Sequence, residues 1–317
     1  MAEISKRIEM YDAEKMEHIN PDTLKLFRKY QIDMSIRDLS PNSINAYNSD
    51  LKQWFIYMYD NQFNLSVLEA TDEDLEEYFY WRKQQGNNVN RQRRVMASIS
   101  AFYKFLRKKK LIKESPTEFL ERPKQGQPII KQTFLTVQQV NELREKLAEC
   151  GDIQLQTYIL FGLSTMARVN AMAHLRWEQV NIEDRVCTDV LEKEQKVVDL
   201  YFSREVADLL VKLKKYREEN GINDYGWIFI SSQVTEEKCI QNGTLNDWCK
   251  RAGKMIGIPT LHNHDLRHSG SNILKELGME IQDIAELLHH NSTETTVKHY
   301  LTVNKKKVKE NKDKFSF

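Results

Sequence analysis

Residues 262–300 read HNHDLRHSGSNILKELGMEIQDIAELLHHNSTETTVKHY, and six of the chain's eight histidines (His262, His264, His268, His289, His290 and His299) fall inside this stretch. Histidines scattered through a core or over a surface do not collect in this way. In the string His264-Asp265-Leu266-Arg267-His268, His264 and Arg267 are three residues apart, so a helix places both on one face. Gly278 marks the end of that helix. Beyond it, Leu287-Leu288-His289-His290 and His299-Tyr300 add further imidazoles and a phenol.

Two chemistries compete for such a cluster. His264 and His268 are four apart, as in the HExxH zinc pattern, and His289 or His290 is available as a further ligand. Against this, Asp265 stands where the water-activating glutamate belongs, and Arg267 sets a permanent positive charge inside the ligand turn. The other chemistry is a phosphate site with a tyrosine nucleophile. A phosphodiester transition state gathers negative charge on its equatorial oxygens, which arginines hold bidentately. A phenol is a weak nucleophile near neutral pH and needs positive charge and a base beside it. The leaving 5′-oxygen needs a proton, which a lysine on a hairpin can supply.

Working outward, the apolar run Ile159–Leu163 leads to Arg168, a charge that needs a partner at that place. Thr136 to Gln139 forms a capping box that opens a helix carrying Val140, Leu143 and Leu147, and a second helix holds Leu155 to Leu163. From Cys187 to Tyr201, short apolar runs at Val190-Leu191 and Val197-Val198 flank the polar turn Glu192-Lys193-Glu194-Gln195, which predicts a β-hairpin. Trp227-Ile228-Phe229-Ile230 is expected as a third strand, and helices return from about Leu245. Met166 and Met172 read as core.

The amino-terminal part is helical throughout. A helix near Pro21 to Tyr30 carries Leu24, Leu26 and Phe27. Ser40-Pro41 caps another with Ile44, Tyr47, Leu51, Trp54 and Met58 at helical spacing, and Thr71 with Asp74 opens a third. A fourth carries Val95, Ile99, Phe102 and Leu106 on one face, with Arg93, Arg94, Lys104 and Lys108 off it. From Arg82 to Lys113 there are eleven basic residues and no acidic one, although Lys plus Arg (47) nearly balances Asp plus Glu (46) overall. Local segregation of that kind fits a face that meets phosphates. The segment 122–128, with two prolines, a glycine and no apolar side chain, reads as a linker.

A chain of 317 residues with 40% hydrophobic and 29% charged residues suggests about two packed domains and excludes disordered, collagen-like and disulfide-scaffold classes. Its four cysteines form no CxxC pair, no apolar run is long enough to span a bilayer, and the first residues alternate charges where a secretion signal is apolar. A cytoplasmic location is expected.

These residues carry a resemblance to the tyrosine recombinase (phage integrase) family. Phe161-Gly162-Leu163-Ser164-Thr165-Met166-Ala167-Arg168, followed by His174-Leu175-Arg176-Trp177, resembles its first-arginine box. His264–His268 is similar to the HxLRH box, Leu287–His290 to LLGH, and Thr295–Tyr300 to the segment with the nucleophile. The first 130 residues resemble the family's helical core-binding domain. The resemblance implies a mainly α fold: a helical, SAM-like core DNA-binding domain over residues 1–121, a linker over 122–132, and over 133–317 an α-rich catalytic domain with a small antiparallel β-sheet. By the same resemblance Tyr300 attacks the DNA phosphate to form a 3′-phosphotyrosyl link, and Arg168 and Arg267 clamp its non-bridging oxygens. His264 serves in proton transfer, His290 hydrogen-bonds the phosphate, and the hairpin lysine is Lys193, with Lys196 the second candidate. Arg91, Arg93, Arg94, Lys104 and Lys108 are the expected DNA contacts. No cofactor or metal is implied. The implied partners are duplex DNA with short inverted-repeat core sites, accessory proteins, and copies of the chain as a homotetramer on two sites.

Three departures stand out. The acidic residue often found three after the first arginine is Ala171 here, the glycine of LLGH is His289, and the hairpin lacks the usual glycine-lysine turn. The pattern is nearer to simple Cre- or Xer-like recombinases without an arm-binding domain than to larger phage integrases. His268 and His289 are expected to support the site rather than act, and Arg176 to lie at the surface or behind it. The lysine-rich tail, Lys305 to Phe317, is expected to dock on a neighbouring protomer. Two alternatives use the same boxes: type IB topoisomerase-like relaxation of DNA, and a DNA-binding regulator with a dead active site.

Overall fold

The computed structural model describes residues 6, 8, 11–124, 134–192, 196–289 and 293. The chain divides into two compact units, Met1–Ile129 and Ile130–Phe317. No helix among the described residues is long and apolar enough to cross a membrane.

The first unit is a helical module of α1 (Ala13–Glu17), α2 (Pro21–Ile36), α3 (Pro41–Asn61), α4 (Asp72–Gln84) and α5 (Val89–Lys108). Its boundaries follow from side-chain caps. Asn20 and Ser40 accept from first-turn amides ahead of prolines that have no amide to leave unsatisfied, and Thr71 with Asp74 closes a capping box. Packed aromatics fill the core, including Phe27 edge-on to Phe55 at 5.4 Å and Tyr30 against Phe102 at 5.3 Å. Two ionic groups are buried with their partners. Arg82, 1% exposed, donates to Asn87, Gln53 and Tyr78, while Asp50, also 1% exposed, accepts from Arg91 and Ser98.

The second unit runs α6 (Val137–Glu149), α7 (Ile153–Thr165), α8 (Val169–Ala173), a 3₁₀ turn (Trp177–Gln179), β1 (Val180–Asn181), β2 (Val186–Leu191), β3 (Val197–Tyr201), α9 (Arg204–Glu219), α10 (Asn242–Met255), α11 (Asn263–Glu276) and α12 (Ile281–Leu287). The strands form one antiparallel sheet in the order β1-β2-β3, and Leu191 pairs with Val197 at the hairpin end. Helix α7 is mostly apolar and largely buried, and it packs against α6, α9 and α11, which makes it the centre of the core. It approaches α11 closely because two glycines face the contact: Gly162 lies against Leu266, and Gly270 lies against the Leu163 carbonyl. The chain is therefore mainly α with a small antiparallel sheet, as the sequence predicts.

One strand is corrected. Residues 227–230 are not a strand, and the third strand is instead the short β1. Trp227 makes an isolated bridge to Arg176, but side chains hold the rest of the segment. Arg217 donates to the carbonyls of Trp227 (3.0 Å) and Ile228 (2.6 Å), and Gln154 bonds both the amide and the carbonyl of Ile230 at 3.1 Å. With those backbone groups satisfied, burial of this apolar run needs no neighbouring strand.

Candidate active site

Two breaks in helical geometry build the site. Helix α7 ends at Met166, whose φ of 55° lies in the left-handed region, and the turn releases the chain so that Arg168 stands at the start of α8. Helix α12 ends at Leu288, followed by His289 with φ 51°. The position where the resemblance expects glycine is thus one where glycine's freedom has a use, and here a histidine occupies it. Arg267, on α11 and 1% exposed, joins the two breaks: Nη1 donates to the Met166 carbonyl at 2.6 Å and Nη2 to the Leu288 carbonyl. Carbonyls at helix C-termini carry partial negative charge, which offsets the cost of burying the guanidinium.

Arg168 is about one-third exposed, and its Nη1 forms an ion pair with Oε2 of Glu192, whose side chain is 1% exposed. The same carboxylate oxygen lies 3.6 Å from Nδ1 of His289. Burial raises the affinity of Glu192 for a proton. The neighbouring His289 ring and the charges of Arg168 and Arg267 outweigh it, so its pKa lies below the usual carboxylate value. His289 Nε2 meets the Asp199 carbonyl at 3.1 Å, and Lys196 Nζ donates to the His289 carbonyl at 3.3 Å. The hairpin is therefore bound to the end of α12.

His264 lies on the first turn of α11, its ring edge-on to His268 at 4.5 Å. Partial desolvation lowers its pKa, and the charges of Arg267, His262 and Arg168 lower it further, so the neutral imidazole is favoured. Asp265 is occupied in capping the helix: its carboxylate accepts from the His262 amide at 3.0 Å and lies 2.6 Å from His262 Nδ1. That use leaves it poorly placed as a water-activating base.

The structure thus brings Arg168, His264 and Arg267 into one electrostatic neighbourhood with Glu192 and His289. The hairpin register is fixed by Glu192 N donating to Lys196 O at 2.8 Å. Lys193, His290 and Tyr300 lie outside the described residues, as do 125–133 of the linker and the tail. Sequence reasoning read Glu192 as part of a polar hairpin turn and missed its burial. The available signal was the missing acid at Ala171, which leaves Arg168 in want of a carboxylate from elsewhere. Arg176 lies over the Trp227 ring, 3.8 Å from its centroid, and donates to two loop carbonyls.

In the first unit, the basic block from 82 to 113 is not a single face. Arg82 is buried, Arg91 pairs with Asp50 at 2.6 Å, and Arg93 donates to the Pro123 carbonyl at 2.6 Å. Arg94, Lys104 and Lys108 are exposed on α5 and share its outer side with the small residues Ala97, Ser100 and Ala101. That side combines separated positive charge with a low profile, which suits close approach to a phosphate backbone.

The profile of the phage integrase family matches residues 133–307, and that of the phage integrase N-terminal SAM-like domain matches residues 27–110. The chain is 29% identical over 297 residues to a tyrosine recombinase XerC of Leptospira interrogans, covering 93% of this chain and 92% of that protein. It is 24% identical to a tyrosine recombinase XerD of Halalkalibacterium halodurans, covering 89% of this chain and 93% of the relative. Its fold is similar to that of the XerH site-specific recombinase bound to palindromic difH substrate in a post-cleavage complex, with a TM-score of 0.71 at 16% identity over 87% of this chain and 81% of the other. The Tn1549 transposon integrase in complex with circular intermediate DNA gives a TM-score of 0.68 at 15% identity, over 91% of this chain and 98% of the other.

Proposed function

The chain belongs to the phage integrase family and is a site-specific tyrosine recombinase, and on that premise we propose that it cuts and rejoins duplex DNA through a 3′-phosphotyrosyl intermediate on Tyr300. The observation that carries the reading is the pair Arg168 and Arg267 beside one buried carboxylate, with His264 close enough for both guanidinium charges to favour its neutral form. Two guanidinium groups and an imidazole without a metal are suited to an anionic, five-coordinate phosphorus.

In this mechanism the Tyr300 phenol attacks the scissile phosphorus as the P–O5′ bond breaks. Arg168 and Arg267 hold the non-bridging oxygens, and His290 hydrogen-bonds one of them. His264 takes part in moving the phenolic proton, for which the neutral imidazole is the competent form. Lys193 protonates the departing 5′-oxygen. Lys196 is less suited, because its Nζ is engaged at the His289 carbonyl. A 5′-hydroxyl from the partner strand reverses the step. The phosphotyrosyl ester conserves the bond energy, so neither metal nor nucleotide is consumed. Exchange between two sites calls for a homotetramer, one protomer on each half of an inverted repeat, with accessory proteins able to set direction. In the first unit, Arg91, Arg93, Arg94, Lys104 and Lys108 are the proposed DNA contacts; Lys104 and Lys108 are exposed, while Arg91, Arg93 and Arg94 also bond within the protein. The domain division is taken as 1–121, 122–132 and 133–317, and the site of action as cytoplasmic DNA.

The test is covalent trapping on nicked duplexes drawn from DNA flanking the gene, with the parent and Tyr300→Phe. A denaturant-resistant adduct that forms in chelator and vanishes in the variant is expected. An adduct that persists in Tyr300→Phe sinks the assignment of the nucleophile. Relaxation of plasmids with no dependence on paired sites would mark a topoisomerase instead.

A further inference from the structure

A glutamate at the mouth of a hairpin is normally solvated, but the Glu192 side chain is 1% exposed. Burying a carboxylate is unfavourable unless cationic and polar groups surround it, and two guanidinium groups and an imidazole do so here. Arg168 pairs with Oε2, His289 Nδ1 lies 3.6 Å from the same atom, and Arg267 is near enough for its charge to act on the group. Its other oxygen has no hydrogen-bond partner among the described residues.

We infer that Glu192 is the positioning carboxylate of the arginine site, fixing the Arg168 guanidinium and binding it to the end of β2. The inference rests on reading Arg168 as a phosphate clamp. Two guanidinium groups brought near one another repel when no phosphate lies between them, and a carboxylate beside both relieves this in the DNA-free protein. Arg168 has no acid three residues along its own chain, since Ala171 occupies that place on α8. The hairpin supplies the carboxylate from the opposite side. Engaging Nη1 leaves the other donors of a planar fork for a bidentate hold on a phosphate, and it fixes the plane in which they point. Through His289, and through Lys196 at the His289 carbonyl, the same carboxylate links the hairpin to the end of α12.

The experiment compares the parent, Glu192→Gln and Glu192→Asp in three measurements. These are single-turnover covalent cleavage of a nicked duplex, affinity for the same DNA, and solvent-exchange protection of the Arg168 Nε–H by NMR, assigned by its loss in Arg168→Lys. Glu192→Gln is expected to keep DNA affinity, to cleave about 10²-fold more slowly, and to lose Arg168 protection, with Glu192→Asp restoring part of both. Parental cleavage in Glu192→Gln, or a slow rate fully accounted for by weaker DNA binding and lower thermal stability, overturns the inference. If Glu192→Gln does not fold, Glu192→Asp carries the same comparison, and parental cleavage together with parental protection in it counts against the inference. Should the parent itself form no adduct on any DNA, the recombination chemistry fails, and Arg168 protection in the variants still decides whether the carboxylate positions the guanidinium.

Discussion

Replacing Gly270 by alanine tests how the arginine site is held by the core beneath it. Gly270 lies on α11 three residues after Arg267, and a Cβ there would stand 2.3 Å from the Leu163 carbonyl oxygen and 2.7 Å from Cγ of Met166. Met166 can bend, but Leu163 is backbone in the middle of the core and cannot turn away. Contact at 2.3 Å is roughly 1 Å short of van der Waals distance, so the two helices must part by about that much. Overpacking of this kind costs about 1–3 kcal/mol, and a clash with backbone belongs at the upper end. Alanine recovers about 1 kcal/mol of helix propensity. Parting the helices also strains the bond from Arg267 to the Met166 carbonyl, a charged hydrogen bond of a kind that contributes about 1.5–3 kcal/mol when intact. The clash less the propensity gain leaves about 2 kcal/mol, and partial loss of this bond brings the net to about 3 kcal/mol of destabilisation, or about 6–12 °C in Tm for a unit of this size. Gly243 on α10 is the matched control, because a Cβ there meets nothing within 4 Å, so its alanine variant should be neutral or stabilised by up to about 1 kcal/mol. Urea unfolding of both variants, with DNA cleavage measured alongside, supplies the comparison. A Gly270→Ala protein that melts with or above the Gly243→Ala control would refute the account of the α7–α11 contact.

Three further outcomes follow from the same geometry. The lowered pKa of His264 means that the unfolded chain takes up that proton first as pH falls, so the stability the neutral imidazole contributes is present above about pH 6.5 and lost below it. The stability gap between parent and His264→Gln should therefore shrink between about pH 7.5 and about pH 5 in urea titrations, and a pH-independent gap contradicts this. Asp50→Asn removes a buried charge that holds Arg91 and Ser98 and should destabilise the first unit by about 2–3 kcal/mol, read as a lower denaturant midpoint; an unchanged midpoint counts against it. Lys104→Ala and Lys108→Ala should each reduce the slope of log affinity against log salt by about 0.9, while Arg91→Ala, whose guanidinium is already neutralised by Asp50, should leave it nearly unchanged. Equal slopes for all three variants would mean that Arg91 leaves Asp50 for DNA.

What could be read in the sequence was what local chemistry decides. The caps at Ser40-Pro41, Thr71 with Asp74, and Thr136 with Gln139 begin α3, α4 and α6 where read, because a capping bond depends on residues within one turn. The apolar stretch before Arg168 and the His264–Arg267 spacing gave two arms of the site for the same reason. The segment 227–230 misled because a short apolar run has the same appearance whether a strand or distant side chains satisfy its backbone. The side chains that do so, Gln154 and Arg217, belong to α7 and α9. The basic block gave the sign of the charge but not its disposition. Arg82 and Arg91 turn inward only because Asn87, Gln53 and Asp50 meet them there, and two of those three partners, Gln53 and Asp50, are far away in sequence. Glu192 was hidden for a related reason, since its burial depends on Arg168, twenty-four positions away.

Arg267 shows why site and core cannot be separated in this protein. Its guanidinium bonds the carbonyls that close two helices, α7 and α12, and those closures turn the chain towards Arg168 on one side and His289 on the other. Both closures use left-handed backbone at residues that are not glycine, Met166 and His289, a conformation that needs compensating contacts. Arg267 supplies such a contact at each. Lysine would keep the charge but lose the fork that reaches two carbonyls at once, so Arg267→Lys is not a conservative change here. The outcome expected of it is loosening of both turns, with Arg168 and His289 released from Glu192 together. An arginine site built in this way is assembled by the closing of the core, and the cost of bringing its charges together is met largely during folding, which is the preorganisation that the proposed phosphate clamp requires.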